Sequence, residues 1–397
     1  MQLLLATSGV AHMPQIGRAL QDRGGLAALW MSAKNRTGIA PERYRRAWIY
    51  HLALKPFYQL CSPATIENAT YRLFPLWQFW IRRQSPPRFD VAYGMPGHAT
   101  ELFELAEQKG AFKLIDSTNS HPTSAYGFWQ RECDIWSPGF ETRVPRWFFA
   151  RANRELERAD LILCPSTFVR DSMLYNGIPE SKCVINPYGV DTSVFRQRTA
   201  VPAKPRFICV GGIGLRKGHQ YLFRAFAKVR QVLKDAELVC VGTPFPEFRA
   251  EWQRWQGTFT HYQDIPVADL VKLLSESTAF VFPSTEEGFA KAVVEAMSSG
   301  LPIVATHESG ATTLVRDGIE GIIIRGRDIE HLAEAMIKVA TNREANERMG
   351  RAAHERGGKG NTWADFAGRT LKLCNEALEN RGASSPSAFQ AKATATC

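Results

Sequence analysis

Two α/β domains, each a parallel sheet covered by helices on both faces, are what this sequence predicts, on three observations. Short apolar runs alternate with longer helical periods through most of the chain, the pattern of repeated β-α units. The runs fall into two series separated by DTSVFRQRTAVPAKPR (191–206), a polar stretch with two prolines and no clear period, which reads as an interdomain linker and hinge. With 397 residues, 45% of them hydrophobic and 22% charged, the chain also exceeds what a single core usually organises.

In the first series, strands are expected at 2–7, 26–31, 89–94, 112–116 and 161–165, with helices at 13–22, 100–109, 146–158 and 168–175. The second series places strands at 206–211, 237–242, 279–283, 302–306 and 321–324, each followed by a helical pattern. Apolar residues Trp363, Phe366, Leu371, Leu373, Cys374 and Leu378 make 362–380 one more amphipathic helix. The tail, 381–397, is rich in Ala, Ser and Thr and is expected to be disordered. The partition is therefore 1–190, a linker at 191–206, a second domain at 207–360, a helix at 361–380 and the tail.

Eight cysteines occur without a C-x-x-C pair, which argues against a zinc cluster or a disulfide framework and for a reducing cytoplasm. The first residues, MQLLLATSG, lack a basic leader, and no stretch approaches the ~18 apolar residues of a spanning helix, so neither secretion nor membrane crossing is expected. No D-x-D occurs, so a metal-clamped pyrophosphate is not indicated. The net charge of +10 is uneven: residues 1–100 carry 12 Lys and Arg against 4 Asp and Glu, so an anionic partner is expected at that end.

The chemistry concentrates in two loops. In PSTEEGFAKAVVEAMSSGLP (283–302), a strand ends in proline and a helix starts near Ala290, so 284–289 is a loop at the carboxyl end of a strand, where open α/β sheets bind ligands. Amides around Phe289, Ala290 and Lys291 are the free donors of a helix start and suit a phosphate. Glu287 precedes that helix and Glu295 lies within it. Two carboxylates beside a phosphate site serve hydroxyl groups, since they would repel the phosphates. As an isolated pair they would more simply complement a helix dipole and solvate the surface.

The second loop lies in FICVGGIGLRKGHQYLFRAF (207–226): a strand, a glycine-rich turn containing Gly211 and Gly212, and a helix opening near Gly218. Arg216 and Lys217 stand at its mouth, where they could neutralise a leaving diphosphate; for Arg216 a solvated basic turn is an equal alternative. A dinucleotide site is disfavoured, because Gly212, Gly214 and Gly218 miss G-x-G-x-x-G by one residue and no acid ends the following strand, at Val241-Gly242.

The string EGFAKAVVEAMSSGLPIVAT closely resembles the Glu-x7-Glu signature of glycosyltransferase family 4, the retaining group with a GT-B fold, written EGFG, EAMA and G-x-P-V-V-A. CPSTFVRDSMLYNGIPESKCVINPYGVDTSVF (164–195) is similar to its S-x-F-V-x, G-I-P and N-x-Y-G-V-D segments, so the resemblance covers most of 1–380. It implies two Rossmann-like domains facing across a cleft, with the last helix crossing back to the first. It further implies a nucleotide-sugar donor and retention at the anomeric carbon; the donor is expected on the second domain, and a saccharide or lipid-linked saccharide acceptor, suggested by the basic first hundred residues, on the first. Under it Glu287 holds donor-sugar hydroxyls, Glu295 the ribose, and Gly288, Phe289 and Ala290 the backbone beside the phosphates. Two departures are visible. Ala290 stands where the family has glycine, and Gly212 where it has arginine, although Lys217-Gly218 matches the family's Lys-Gly pair.

In the first domain, Thr7-Ser8-Gly9 ends the first strand, and Gly9 lets an acceptor or the donor phosphates approach. The loop DSTNSHPTSAYGF after Asp116 carries His121, a candidate contact to the donor sugar; His12 is read as structural. Residues 35–88 break the pattern with RYRRAWIYH and YRLFPLWQFWIRRQ, where Pro75 should interrupt a helix. Basic and aromatic side chains over 43–84 suit an anionic membrane surface, a local core or a dimer contact, while RNA lacks an accompanying motif. The expected protein is a metal-independent hexosyltransferase of polysaccharide biosynthesis, needing no cofactor besides its nucleotide-sugar co-substrate, cytoplasmic and peripheral at the inner membrane face. A nucleotide-sugar epimerase and a sugar-nucleotide-binding protein without turnover are the alternatives.

Overall fold

The computed structural model describes residues 1–9, 12–60, 63–142, 144–357 and 359–383. Its strands form two sheets with only parallel pairs among the described residues. The first contains β1 (Leu3–Thr7), β2 (Leu26–Met31), β3 (Tyr44–Arg46), β4 (Val91–Gly94), β5 (Phe112–Asp116), β6 (Leu161–Cys164) and β7 (Cys183–Ile185), in the order β3-β2-β1-β4-β5-β6-β7. The second contains β8 (Arg206–Val210), β9 (Glu237–Val241), β10 (Thr260–Tyr262), β11 (Ala279–Phe282), β12 (Ile303–Thr306) and β13 (Gly321–Ile324), in the order β10-β9-β8-β11-β12-β13.

This is the two-domain α/β architecture the sequence predicts. Strands β1, β4, β6, β11 and β12 are buried along their whole length, because helices cover both faces of each sheet, and they therefore read as continuous apolar runs. Winding reverses direction between β1 and β4 and again between β8 and β11. Such a reversal leaves a crevice at the carboxyl ends of the two strands, and it is there that the chain must place a ligand. The three-residue strands β3, β7 and β10 escape a sequence reading, being too short to show a period.

Two local expectations are corrected. The stretch after Asp116 is not a loop through Phe128: a helix runs over Pro122–Trp136, started by His121 at the N-cap, whose Nδ1 accepts from the Thr123 amide at 3.3 Å, and by Pro122 in its first turn. Pro75 does not interrupt a helix but opens one, Phe74–Arg82, after the helix Pro63–Arg72 has ended. Residues 43–84 divide by face. Tyr50, Phe74, Trp77 and Trp80 are buried in a core with Trp30, whereas Trp48, Leu52 and Phe79 are 56, 52 and 54% exposed.

The helix Trp363–Ala383 returns to the first domain and packs along Met13–Asp22. Phe366 and Cys374 are fully buried there, Arg23 Nε donates to the Ala364 carbonyl at 2.9 Å, and Asn186 Nδ2 donates to Thr370 Oγ1 at 2.9 Å. Residues 381–383 finish that helix, so the disorder expected of the tail fails for them; its remainder, 384–397, lies outside the described residues. Among the described residues, no helix is long and apolar enough to cross a membrane, and no group of three or more His, Cys, Asp or Glu side chains is placed to hold a metal ion.

Candidate active site

The loops that follow β8 and β11 meet at the reversal point of the second sheet. Gly211 extends β8 and donates to the Val241 carbonyl at 2.9 Å, and the turn through Gly212 reaches Gly218, where a helix (His219–Val232) begins. Gly218 has φ +74°, and a Cβ on it would sit 1.9 Å from the Pro283 carbonyl oxygen. Only glycine allows that approach, and it brings the two loops together. The Thr285 amide then donates to the Arg216 carbonyl at 2.9 Å, fixing their register.

Held in this way, two cations face two carboxylates. Lys217 Nζ donates to Glu287 Oε2, and Arg216 Nη1 reaches Glu287 Oε2 at 3.2 Å, Glu286 Oε2 at 3.1 Å and the Glu286 carbonyl at 2.9 Å. Burial pushes the Glu287 carboxyl up, but the Lys217 ammonium and the Arg216 guanidinium outweigh it and hold the pKa below the ordinary carboxylate value. Lys217 is pulled down by burial, against Glu287, with Arg216 adding its repulsion. The remaining donors of Arg216, Nε and Nη2, have no acceptor among the described residues, and the guanidinium therefore keeps capacity for an incoming anion.

The loop continues to the helix Lys291–Ser298, with Ala290 at its N-cap. The amides of Gly288, Phe289 and Ala290, at and just ahead of the helix N-cap, have no acceptor among the described residues, whereas the Lys291 amide, expected to be free, donates to the Phe289 carbonyl at 3.1 Å. Ser284 Oγ, at the foot of the same crevice, is buried without a hydrogen-bond partner among the described residues. Inside the helix, burial raises the Glu295 pKa, opposed by the nearby Lys291.

The first domain closes against this loop. A Cβ on Gly288 would lie 1.9 Å from the Thr118 carbonyl oxygen, so the backbones of the two domains touch. Glu286 crosses the boundary: it accepts from the Ser120 amide at 3.2 Å and from Ser120 Oγ at 2.8 Å. His121 follows, 5% exposed, and burial lowers its pKa, so the ring is neutral near pH 7. With Nδ1 accepting from Thr123, the ring proton is assigned to Nε2. Gly9 lies two residues beyond the end of β1 on the opposing sheet, its amide donating to Thr7 Oγ1 at 3.1 Å.

His12 is structural, as read: its Nε2 lies 2.9 Å from Asp116 Oδ2, and the Asp116 carboxylate also accepts from the Tyr93 and Tyr188 hydroxyls. The structure thus gathers Gly211, Gly212, Arg216, Lys217, Glu287, Gly288, Phe289 and Ala290 at one crevice, with the His121 loop facing them; Glu295 stands further along the helix. Sequence reasoning missed Glu286 and Ser120. Nothing local distinguishes Glu286 from Glu287; only the second domain's approach to Ser120 does.

Residues 204–342 match the family model described as Glycosyl transferases group 1. Over 53% of this chain, 32% of residues are identical to the D-inositol 3-phosphate glycosyltransferase of Kribbella flavida, covering 54% of that relative. A GDP-mannose-dependent alpha-(1-6)-phosphatidylinositol monomannoside mannosyltransferase of Mycolicibacterium smegmatis is 25% identical over 62% of this chain and 65% of its own length. The chain thus spans about half the length of the first two curated relatives it matches, 54 and 52%. Among solved structures, a sucrose-phosphate synthase from Thermosynechococcus elongatus superposes with a TM-score of 0.69 at 16% identity, covering 96% of this chain and all of that one. Anabaena HepE in complex with UDP and glucose superposes with a TM-score of 0.65 at 15% identity, covering 95% of this chain and all of that one. The likeness to the group 1 glycosyl transferases thus lies in residues 204–342, and the two paired parallel sheets have the GT-B fold of these solved structures.

Proposed function

We propose that this chain transfers a hexosyl group from a nucleotide-sugar donor to a saccharide or lipid-linked saccharide acceptor, with retention at the anomeric carbon and without a metal or a further cofactor. The observation that carries the reading is the meeting of Lys217 and Glu287, from the loops after β8 and β11, at the second sheet's reversal point. A nucleoside diphosphate needs cations and helix-start amides where its charge develops, and Arg216, Lys217 and the amides of Gly288, Phe289 and Ala290 are of that kind. Glu287 takes donor-sugar hydroxyls, His121 donates from Nε2 to the same sugar, and Glu295 takes the ribose. Gly9, Gly211 and Gly212 admit the ligand to the backbone.

Retention follows most economically from attack on the face the leaving group departs. The acceptor oxygen bonds to the anomeric carbon as the bond from that carbon to the phosphate oxygen breaks. The acceptor proton passes to the departing phosphate oxygen, and the nucleoside diphosphate leaves. Closure of the two domains excludes the water that would otherwise hydrolyse the donor. Exposed Trp48, Leu52 and Phe79 beside Arg45, Lys55 and Arg83 support a position on the anionic inner face of the plasma membrane.

One relative is named for GDP-mannose and one structural neighbour holds UDP, so UDP-glucose and GDP-mannose are the donors to try first. A donor that binds the folded state raises the melting temperature, and NMR of the product then gives its anomeric configuration. An inverted linkage would remove the retaining mechanism, and an epimerised nucleotide sugar formed without acceptor would replace transfer with epimerisation.

A further inference from the structure

A cavity of about 480 Å³ opens off the carboxylate–cation cluster, with Arg216 and Glu286 in its lining. Its walls come from both domains. Tyr126 and Trp129 on the helix Pro122–Trp136, together with Phe149, face Phe245 of the loop after β9. The rings brace one another: Tyr126 and Phe149 meet edge to face with centroids 5.3 Å apart, and Trp129 meets Phe140 in the same way at 5.9 Å. Such pairs hold flat apolar faces in fixed orientation.

Phe245 also explains a departure from the family pattern. Its ring lies on the glycine turn after β8: a Cβ on Gly212 would fall 2.4 Å from Phe245 Cζ, and one on Gly214 2.5 Å from Cδ2. A side chain at 212 would require the Phe245 ring to move aside. At this point the chain presents an aromatic surface.

We propose that this cavity is the subsite for a neutral pyranose unit of the acceptor, stacked against Phe245 and Tyr126, an assignment that rests on the glycosyl-transfer reading. A pyranose has one face of C–H bonds and a rim of hydroxyls. Fixed aromatic faces with a polar rim, here Asn119, Thr142 and the Tyr126 hydroxyl, satisfy both. The Tyr126 hydroxyl has no hydrogen-bond partner among the described residues. A phosphorylated or acidic sugar is disfavoured in the cavity itself, because the Glu247 and Glu286 carboxyls both line it and the remaining donors of Arg216 are assigned to the donor diphosphate. A nucleobase is the competing occupant.

Saturation-transfer NMR with methyl α-mannoside, α-glucoside and β-galactoside, run beside UDP and GDP thermal shifts on the same proteins, tests the assignment. At least one glycoside binds wild type; Tyr126→Ala and Phe245→Ala weaken it roughly tenfold or more, as loss of a stacking face requires, and Phe245→Tyr restores it. The nucleotide-induced shift is unchanged in both alanine variants. Equal glycoside binding by the alanine variants, no glycoside binding to wild type, or loss of the nucleotide shift in Phe245→Ala each overturns the subsite. Failure of UDP and GDP to stabilise wild type, with glycoside binding intact and ring-dependent, instead counts against the donor reading and leaves the saccharide subsite standing.

Discussion

Glu132, on a first-domain helix, accepts a 2.6 Å hydrogen bond from Arg327 Nε of the second domain, with its own side chain fully buried. Gln220 Nε2 and the Tyr221 hydroxyl donate to the same carboxylate, each at 2.8 Å. Around it, Cys133 enters the second domain's core and Trp129, Trp136 and Phe140 pack against it. A first-domain helix is therefore clamped onto the second domain, and the cleft stands closed.

Removing Arg327 leaves the Glu132 carboxylate buried without its counter-ion, a change that costs about 3–5 kcal/mol for a fully buried pair; Arg327 is 19% exposed, so the lower end applies. Arg327→Ala should lower the melting temperature and increase the radius of gyration in solution scattering. An unchanged radius with a lowered melting temperature would show that the clamp serves stability alone.

His219 is buried and His98 partly so, and burial lowers their pKa values to about 3 and about 4. The unfolded chain takes up these protons near pH 6.5, whereas the folded chain does not until far lower pH. Their contribution to stability is therefore complete above pH 6.5 and is lost as pH falls toward the folded values, at about 1.4 kcal/mol per pH unit for each group. Urea titrations between pH 6.5 and 4.5 should show that loss. In a folded His98→Gln variant the slope should shrink by about that amount. A slope equal to wild type would mean that His98 is protonated in the fold.

The exposed face of the helix Trp48–Leu60 predicts membrane association. Trp48→Glu with Leu52→Glu should reduce co-sedimentation with vesicles containing anionic phospholipid and leave the melting temperature nearly unchanged, since both side chains are more than half exposed. High salt should weaken wild-type binding, as it screens the basic side chains. Equal sedimentation of the double variant and wild type would remove this surface from the account.

Both sheets were legible in the sequence because their central strands are buried on two faces and read as unbroken apolar runs. So were Glu287 and Lys217, whose loops lie at strand ends in recognisable strings. The helix Pro122–Trp136 was not, because Ser120, His121 and Ser124 within DSTNSHPTSAYGF look like a polar loop; the cap and proline that start it carry no apolar period. Glu132, Glu286 and Phe245 were illegible for a different reason. Each acquires its role from a partner in the other domain or a separate loop: Arg327, 195 positions away, Ser120, 166 away, and the turn at Gly212.

In the proposed donor site Glu287 serves hydroxyls and Lys217 serves phosphate. Calorimetric binding of the free nucleoside diphosphate and release of that diphosphate from the nucleotide sugar, measured on wild type, Glu287→Ala and Lys217→Ala, separate the two roles. Glu287→Ala frees Lys217 and leaves Arg216 with Glu286 alone, so the diphosphate should bind as tightly as to wild type or more so, while transfer falls by roughly 100-fold or more. Lys217→Ala should lose diphosphate affinity. Transfer at the wild-type rate in Glu287→Ala, or undiminished diphosphate affinity in Lys217→Ala, would contradict the account.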